Sequence, residues 1–359
     1  MLTPEATMAD LTATIITHNE EKTIQACLES VTWAKEIVIV DSGSSDRTLE
    51  ICRGYTDKIV HHPWAGFIEQ KNFAVSLATY DWILNLDADE RVPEELRLAI
   101  ERELSAPRHD GYRIARRNYF LGRWIRHGGW YPDRVLRLFD RRTGRFGGVN
   151  PHAYFVIPEG SVGFIDSDLI HYTYQDLSQY LQKQDWYSGI SASERVKWGR
   201  RSDSITQIEL LLRAMLKFVQ VYLLKRGFLD GMHGWIVAAG ASYFNIFKYA
   251  KVWEAGCTRD RIVKEAPTDG LAGSSIHGQL WRLDAETQAG AEAVEHLGDV
   301  GWIDVAVQPF LTFAKVYLYR QACRNGLRGL VDATLMSFHI FVRHVKAWEL
   351  LLRRERLRE

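Results

Sequence analysis

Apolar and polar positions change rhythm twice along this chain. TATIITHN (Thr12 to Asn19) is an apolar and threonine run that closes on polar residues, which predicts a strand. EEKTIQACLESV (Glu20 to Val31) then places Ile24, Cys27, Leu28 and Val31 at helical spacing. The alternation repeats. EIVIVD predicts a strand, RTLEICRGY a helix, DKIVHH a strand, FIEQKNFAVSLAT a helix and DWILNLDADE a fourth strand. Consecutive βα units of this kind predict a mainly parallel sheet with helices on both faces. From Tyr112 to about Tyr174 the pattern shortens into small strands and basic, Gly-rich loops, and from Asp176 onward it is helical.

The helical part repeats itself. Residues 216–254 align without gaps on residues 311–349, so LKFVQVYL matches LTFAKVYL and KYAKVWE matches RHVKAWE. Gly231 and Gly234 fall on Gly326 and Gly329, Ala238 on Ala333, and Ser242 on Ser337. A fixed offset that preserves glycine pairs predicts a duplicated helix–turn–helix unit. The polar stripe of the first copy, Arg213, Lys217 and Gln220, returns in the second as Gln308, Thr312 and Lys315, so the amphipathic face itself is duplicated. The expected segments are a catalytic domain over 10–175, a first amphipathic unit over 176–255, a Gly/Ala/Asp-rich linker over 256–305 and a second unit over 306–359.

Composition narrows the choices. The 359 residues are 46% hydrophobic and 25% charged with zero net charge, which fits a globular protein with no global attraction to nucleic acid. The four cysteines are far apart and lack CxxC spacing, which argues against a disulfide framework or a zinc site. MLTPEATMADLTATII has neither the basic start nor the long apolar core of a signal peptide, and no run is long enough for a spanning helix.

Candidate chemistry collects where the predicted strands end. In parallel sheets ligands bind beyond the carboxyl ends of the strands, and these ends carry Thr17-His18-Asn19-Glu20, Asp41-Ser42-Gly43-Ser44, His61-His62 and Asp87-Ala88-Asp89-Glu90. Two carboxylates at i and i+2, as in Asp87 and Asp89, can share a hard cation whose shell water and phosphate oxygens complete. The competing reading is a pair of solvated acids ahead of the helix that starts at Pro93-Glu94-Glu95.

TIITHNEEKTI, IVDSGSSDRT, QKNFAVSLATYDWILNLDADE and WYPDRVLRLF, in this order, resemble a family 2 glycosyltransferase of the GT-A fold, most closely the lipopolysaccharide core β-1,4-glucosyltransferase type. The resemblance implies an α/β, Rossmann-like sheet and an inverting, Mg2+- or Mn2+-dependent transfer of a hexose, glucose first among the candidates. It implies a nucleotide-sugar donor, UDP-linked by preference. It assigns Thr17, Asn19, Glu20, Asp41, Lys71 and Asp87 to the nucleotide sugar, and Asp89 with Asp87 to the metal. Inversion needs a base on the acceptor hydroxyl. Asp133 is the first candidate, with an ion pair to Arg134 or Arg137 as its alternative role, and His152 is the reserve. Arg134 and Arg137 could complement the diphosphate. Two positions depart from the family pattern: Ser42 stands where many members have a second acid, and Ala153 follows His152 where relatives have Glu.

The expected acceptor is a lipid-linked saccharide such as the lipopolysaccharide inner core. The amphipathic pair would then hold the protein peripherally on the cytoplasmic face of the inner membrane. A buried helical bundle or a homodimer interface would explain the same helices. A polyprenyl-phosphate sugar synthase is the alternative transferase, and a non-catalytic membrane-associated scaffold the alternative outside catalysis.

Overall fold

The computed structural model describes residues 9–174, 176–197, 206–262, 275–295 and 300–356, which fall into two compact units. The first holds residues up to Tyr119 together with Trp130–Thr173, and the second holds Phe120–Gly129 and the chain from Tyr174.

The first unit is built on β1 (Leu11–Thr17), β2 (Glu36–Asp41), β3 (Ile59–His61), β4 (Trp82–Asp87), β5 (Glu90–Arg91), β6 (Gly111–Phe120), β8 (Asp133–Asp140) and β11 (Val162–Tyr174). The antiparallel pair β9 (Arg145–Val149) and β10 (His152–Val156) completes its strands, and a two-residue β7 (Arg123–Trp124) lies in the second unit. The main path runs β3-β2-β1-β4-β8-β6-β11-β5. β3, β2, β1 and β4 are parallel, whereas β8 runs antiparallel to both β4 and β6.

All seven residues of β1 are buried, so its side chains alternate between two covered faces. Ile15 packs with Ile24, Cys27 and Leu28 of α1 (Ile24–Glu29) and with Leu96, Ile100 and Leu104 of α4 (Glu94–Ser105). Ile16 points the other way, to Ala74, Phe73 and Leu77 on and beside α3 (Phe67–Ser76). Between α1 and α3 lies the short α2 (Thr48–Cys52). Each large apolar side chain fully buried in these layers contributes roughly 1.5–3 kcal/mol. Asn85, the polar break in β4, is fully buried and donates to Thr14 Oγ1 at 3.0 Å.

The second unit contains α5 (Leu177–Lys197), α6 (Gln207–Val219), α7 (Gly231–Ile262), α8 (Ile276–Glu295), α9 (Gln308–Ala314) and α10 (Gly326–Arg356). The duplication is structural in detail. A π turn at Gln220–Leu224 and a 3-10 turn at Gly227–Asp230 join α6 to α7, and the same two turns recur at Lys315–Tyr319 and Ala322–Asn325 between α9 and α10. A Cβ on Gly234 would lie 1.8 Å from the Gly227 carbonyl oxygen, and one on Gly329 1.8 Å from that of Ala322. The paired glycines are therefore demanded by a close backbone approach.

Two boundaries differ from expectation. The segment 256–305 is not simply a linker, because α7 runs on to Ile262 and α8 occupies 276–295 and packs on α10. Residues 263–274 and 296–299 lie outside the described residues. Phe120–Gly129, expected in the catalytic domain, belongs to the helical unit. There Asp230 accepts from the His127 backbone N–H at 2.8 Å, and the Gly128 N–H donates to the Lys225 carbonyl at 2.8 Å.

Candidate active site

Parallel register brings the polar strand ends together. Thr17 lies opposite Asp41, Asp41 opposite His61, and Asp87 next to Ile16. The loops after β1 and β2 are braced against each other. Asn19, left-handed at φ 53°, accepts the Ser45 N–H at 2.8 Å, and the Glu20 N–H donates to Thr48 Oγ1 at 2.8 Å. The Glu20 carboxylate accepts from Thr23 Oγ1 at 2.7 Å. Asp41 closes its own loop, accepting from the N–H groups of Gly43 at 2.8 Å and Ser44 at 3.0 Å. These side chains fix the shape of the two loops. Thr17 is different, because its buried hydroxyl has no hydrogen-bond partner.

The acids after β4 meet their counter-charges inside the protein. Lys71 Nζ on α3 donates to Asp87 Oδ1 at 2.7 Å, and Arg137 on β8 pairs with Asp87 Oδ2. Arg137 also reaches Glu90 Oε1 at 2.5 Å and Asn85 Oδ1 at 3.3 Å. Arg116 on β6 bridges Asp133, at 2.5 Å, to Glu90, at 3.4 Å. Burial by itself would raise the Asp87 carboxyl, but Arg137 and then Lys71 outweigh it and hold it well below the usual carboxylate range. Burial lowers the Lys71 ammonium despite the attraction of Asp87.

Three cations thus balance Asp87, Glu90 and Asp133, while Asp89 faces β11. Its carbonyl accepts the Tyr172 N–H at 3.0 Å, which ties the turn to β11, and His171 Nε2 lies 3.3 Å from Asp89 Oδ1. The Asn118 amide fixes the tautomer. Its Nδ2 donates to the Trp130 carbonyl at 2.7 Å, leaving Oδ1 to accept from His171 Nδ1–H at 2.6 Å. So oriented, His171 turns Nε2 toward the Asp89 carboxylate, and the two could hold a proton or a metal ion between them. A carboxylate oxygen beside an imidazole nitrogen suits Mn2+ better than Mg2+, which takes oxygen ligands. Among the described residues no group of three or more such side chains encloses an ion, so donor oxygens and water would complete its shell.

The expected residues divide accordingly. Thr17, Asn19, Glu20, Asp41, Lys71, Asp87, Asp89 and Arg137 all gather along this sheet edge. Lys71 pairs with Asp87, Arg137 with both Asp87 and Glu90, and Asp89 faces His171. Arg134 lies outside the cluster, its guanidinium 5.3 Å from the Phe164 ring centroid. Asp133 pairs with Arg116, neither with Arg134 nor with Arg137. His152 sits exposed on β10 opposite Val149, in the separate two-stranded sheet. Arg116, Asn118 and His171 join the residues read from the sequence, and Glu90, noted there only as a strand-end acid, lies buried among them. An ionisable residue inside the strand run DLIHYTY was the available signal for His171.

Parallel strand ends bearing a charge-balanced acidic turn beside a histidine mark the candidate site of this α/β unit, and the chain belongs to the glycosyltransferases of family 2. Residues 12–167 match glycosyl transferase family 2. The lipopolysaccharide core biosynthesis glycosyltransferase LpsC of Rhizobium meliloti is 31% identical over 263 residues, covering 70% of this chain and 94% of that protein. The uncharacterized glycosyltransferase RT0209 of Rickettsia typhi is 26% identical over 71% of this chain and 91% of its own length. Among solved structures, residues 1–349 of S. aureus TarS with UDP-GlcNAc overlap 71% of this chain and 92% of that one at 14% identity and a TM-score of 0.36. That overlap is too loose for residue-by-residue comparison.

Proposed function

We propose that this glycosyltransferase is an inverting, metal-dependent hexosyltransferase that moves a hexose, glucose first, from a UDP-sugar to a lipid-linked saccharide of the lipopolysaccharide inner-core kind. The observation that carries the reading is the Asp89–His171 pair, oriented by Asn118 and set beside acids already neutralised by Lys71, Arg137 and Arg116. The 31% identity to LpsC supports the acceptor class. A Mg2+ or Mn2+ held by Asp89 and His171 would offset the charge that develops on the departing nucleoside diphosphate. The Thr17 hydroxyl and the braced loops after β1 and β2 position the nucleotide at the sheet edge.

Asp133 serves as the base. The acceptor hydroxyl oxygen attacks the anomeric carbon from the face opposite the diphosphate, the carbon–diphosphate bond breaks, and the hydroxyl proton passes to the Asp133 carboxylate. Arg116, donating to Oδ2 through Nε at 2.9 Å, orients that carboxylate and leaves Oδ1 for the proton.

The test is nucleotide release by the full chain with Mn2+ or Mg2+, a panel of nucleotide sugars, and either saccharide or polyprenyl-phosphate acceptors. Release that needs metal and saccharide, and that is lost in Asp89→Ala and Asp133→Asn, supports the reading. Turnover on polyprenyl phosphate alone would reassign it to sugar-phosphate synthesis, and no turnover of any donor would favour a scaffold.

A further inference from the structure

The two helical repeats are duplicated on their outer face as well as in their core. Leu210, Ala214 and Val221 are buried in the first copy, and their equivalents Val305, Pro309 and Val316 are buried in the second. The opposite face stays open in both. Ile208, Leu216 and Leu223 are 71%, 61% and 52% exposed, and their equivalents Ile303, Leu311 and Leu318 are 67%, 53% and 65% exposed. The spacing keeps these residues on one side of each helix.

Reciprocal contacts relate the copies by an approximate two-fold. Tyr317 Oη donates to Gln207 Oε1 at 2.5 Å, so the end of the second copy's first helix meets the start of α6. In return Trp302, at the start of the second copy, lies edge-on to Trp235, with ring centroids 6.2 Å apart. Trp235 in turn contacts Tyr222, the equivalent of Tyr317. Equivalent residues Tyr243 and Phe338 touch near the axis, 4.7 Å between ring centroids. The approximate two-fold thus relates two copies of the same exposed apolar stripe.

Charge identifies the occupant. The acids near the stripes are spent internally. Glu209 pairs with Arg213, Asp230 accepts backbone N–H groups, and Asp304 accepts the Gly301 N–H. Among the described residues, Lys217, Lys225, Arg226, Lys315 and Arg320 form no ion pair. Burial and the neighbouring Lys225 lower the Lys217 ammonium, as like charges without a counter-ion do. A second copy of the same face would bring these cations together. An anionic bilayer would accept both the apolar stripe and the cations. No helix among the described residues is long and apolar enough to cross a membrane.

We infer that the paired repeats form a two-fold platform that lies in the surface of an anionic lipid bilayer. The inference is independent of the donor chemistry. It is tested by flotation of the full chain with vesicles of phosphatidylcholine alone or mixed with phosphatidylglycerol. The parent protein floats with the anionic vesicles. Leu224→Glu/Tyr319→Glu, at the most exposed pair of equivalent positions, and Lys225→Glu/Arg320→Glu each lose more than about tenfold of that binding, with circular dichroism and melting unchanged. A parent protein that stays in solution with every vesicle overturns the inference, as do variants that float like the parent. So does a parent that dimerises without floating and becomes monomeric in Leu224→Glu/Tyr319→Glu, because the face would then belong to a second copy.

Discussion

Replacing Arg137 with Met keeps the length of the side chain and removes the charge on which two buried carboxylates depend. Arg137 is 5% exposed and Glu90 is fully buried. Without the guanidinium, Glu90 keeps one cation, Arg116 at 3.4 Å, and the Asp87 N–H at 3.0 Å, and Asp87 keeps Lys71 at 2.7 Å. Removing one partner of a buried ion pair costs about 3–5 kcal/mol, because the remaining charge is left uncompensated. For a unit of this size that corresponds to a fall in Tm of roughly 6–20 °C. Circular dichroism melts give the size of the loss. Amide exchange along β4 and β8 locates it, with protection in α7 and α10 unchanged. Arg137→Met/Glu90→Gln should recover a large part of the loss, since it neutralises the stranded acid. A melt of Arg137→Met within about 1 kcal/mol of the parent would refute the claim that the acidic turn is held by charge balance.

Acid sensitivity follows from Asp87. Its folded-state pKa lies below the unfolded value of about 3.9, so its contribution is complete above that pH and is lost as pH falls through the folded value. Urea midpoints between neutral pH and about pH 3 should therefore fall more steeply in the parent than in Asp87→Asn. Gly234→Ala and Gly329→Ala should each destabilise the helical unit by about 1–3 kcal/mol, since the added Cβ meets a backbone carbonyl that cannot step aside; denaturant melts read this directly. Asn118→Ala frees His171 Nδ1 and should weaken Mn2+ binding by about 10–100-fold with little change in melting.

What the sequence disclosed follows the range of the interactions. Strand ends at Asp41 and Asp87 are visible because burial on both sheet faces forces continuous apolar runs before them. The helical duplication is visible because a close glycine–carbonyl contact preserves Gly234 and Gly329 at one offset. The partners of the acidic turn are not visible in the same way. Arg116, Arg137 and His171 arrive from β6, β8 and β11, and only the antiparallel continuation of the sheet brings them to Asp87 and Asp89. Glu90 stands in the sequence as one more acid at the end of β4, and pairing of β5 with β11 buries it. Residues 276–295 looked like a linker from their Gly and Ala content, although Ala is also the strongest helix former. Their burial against α10 decides the outcome.

The central claim is that Asp89 and His171, with Asp87 already neutralised, hold the divalent ion of a sugar-transfer site. Mn2+ binding to the full chain in the presence of UDP, followed by electron paramagnetic resonance, tests it most directly. The account predicts a bound ion that is lost in Asp89→Ala and in His171→Ala while both variants keep the parent's circular dichroism. Mn2+ binding that survives both substitutions would contradict it.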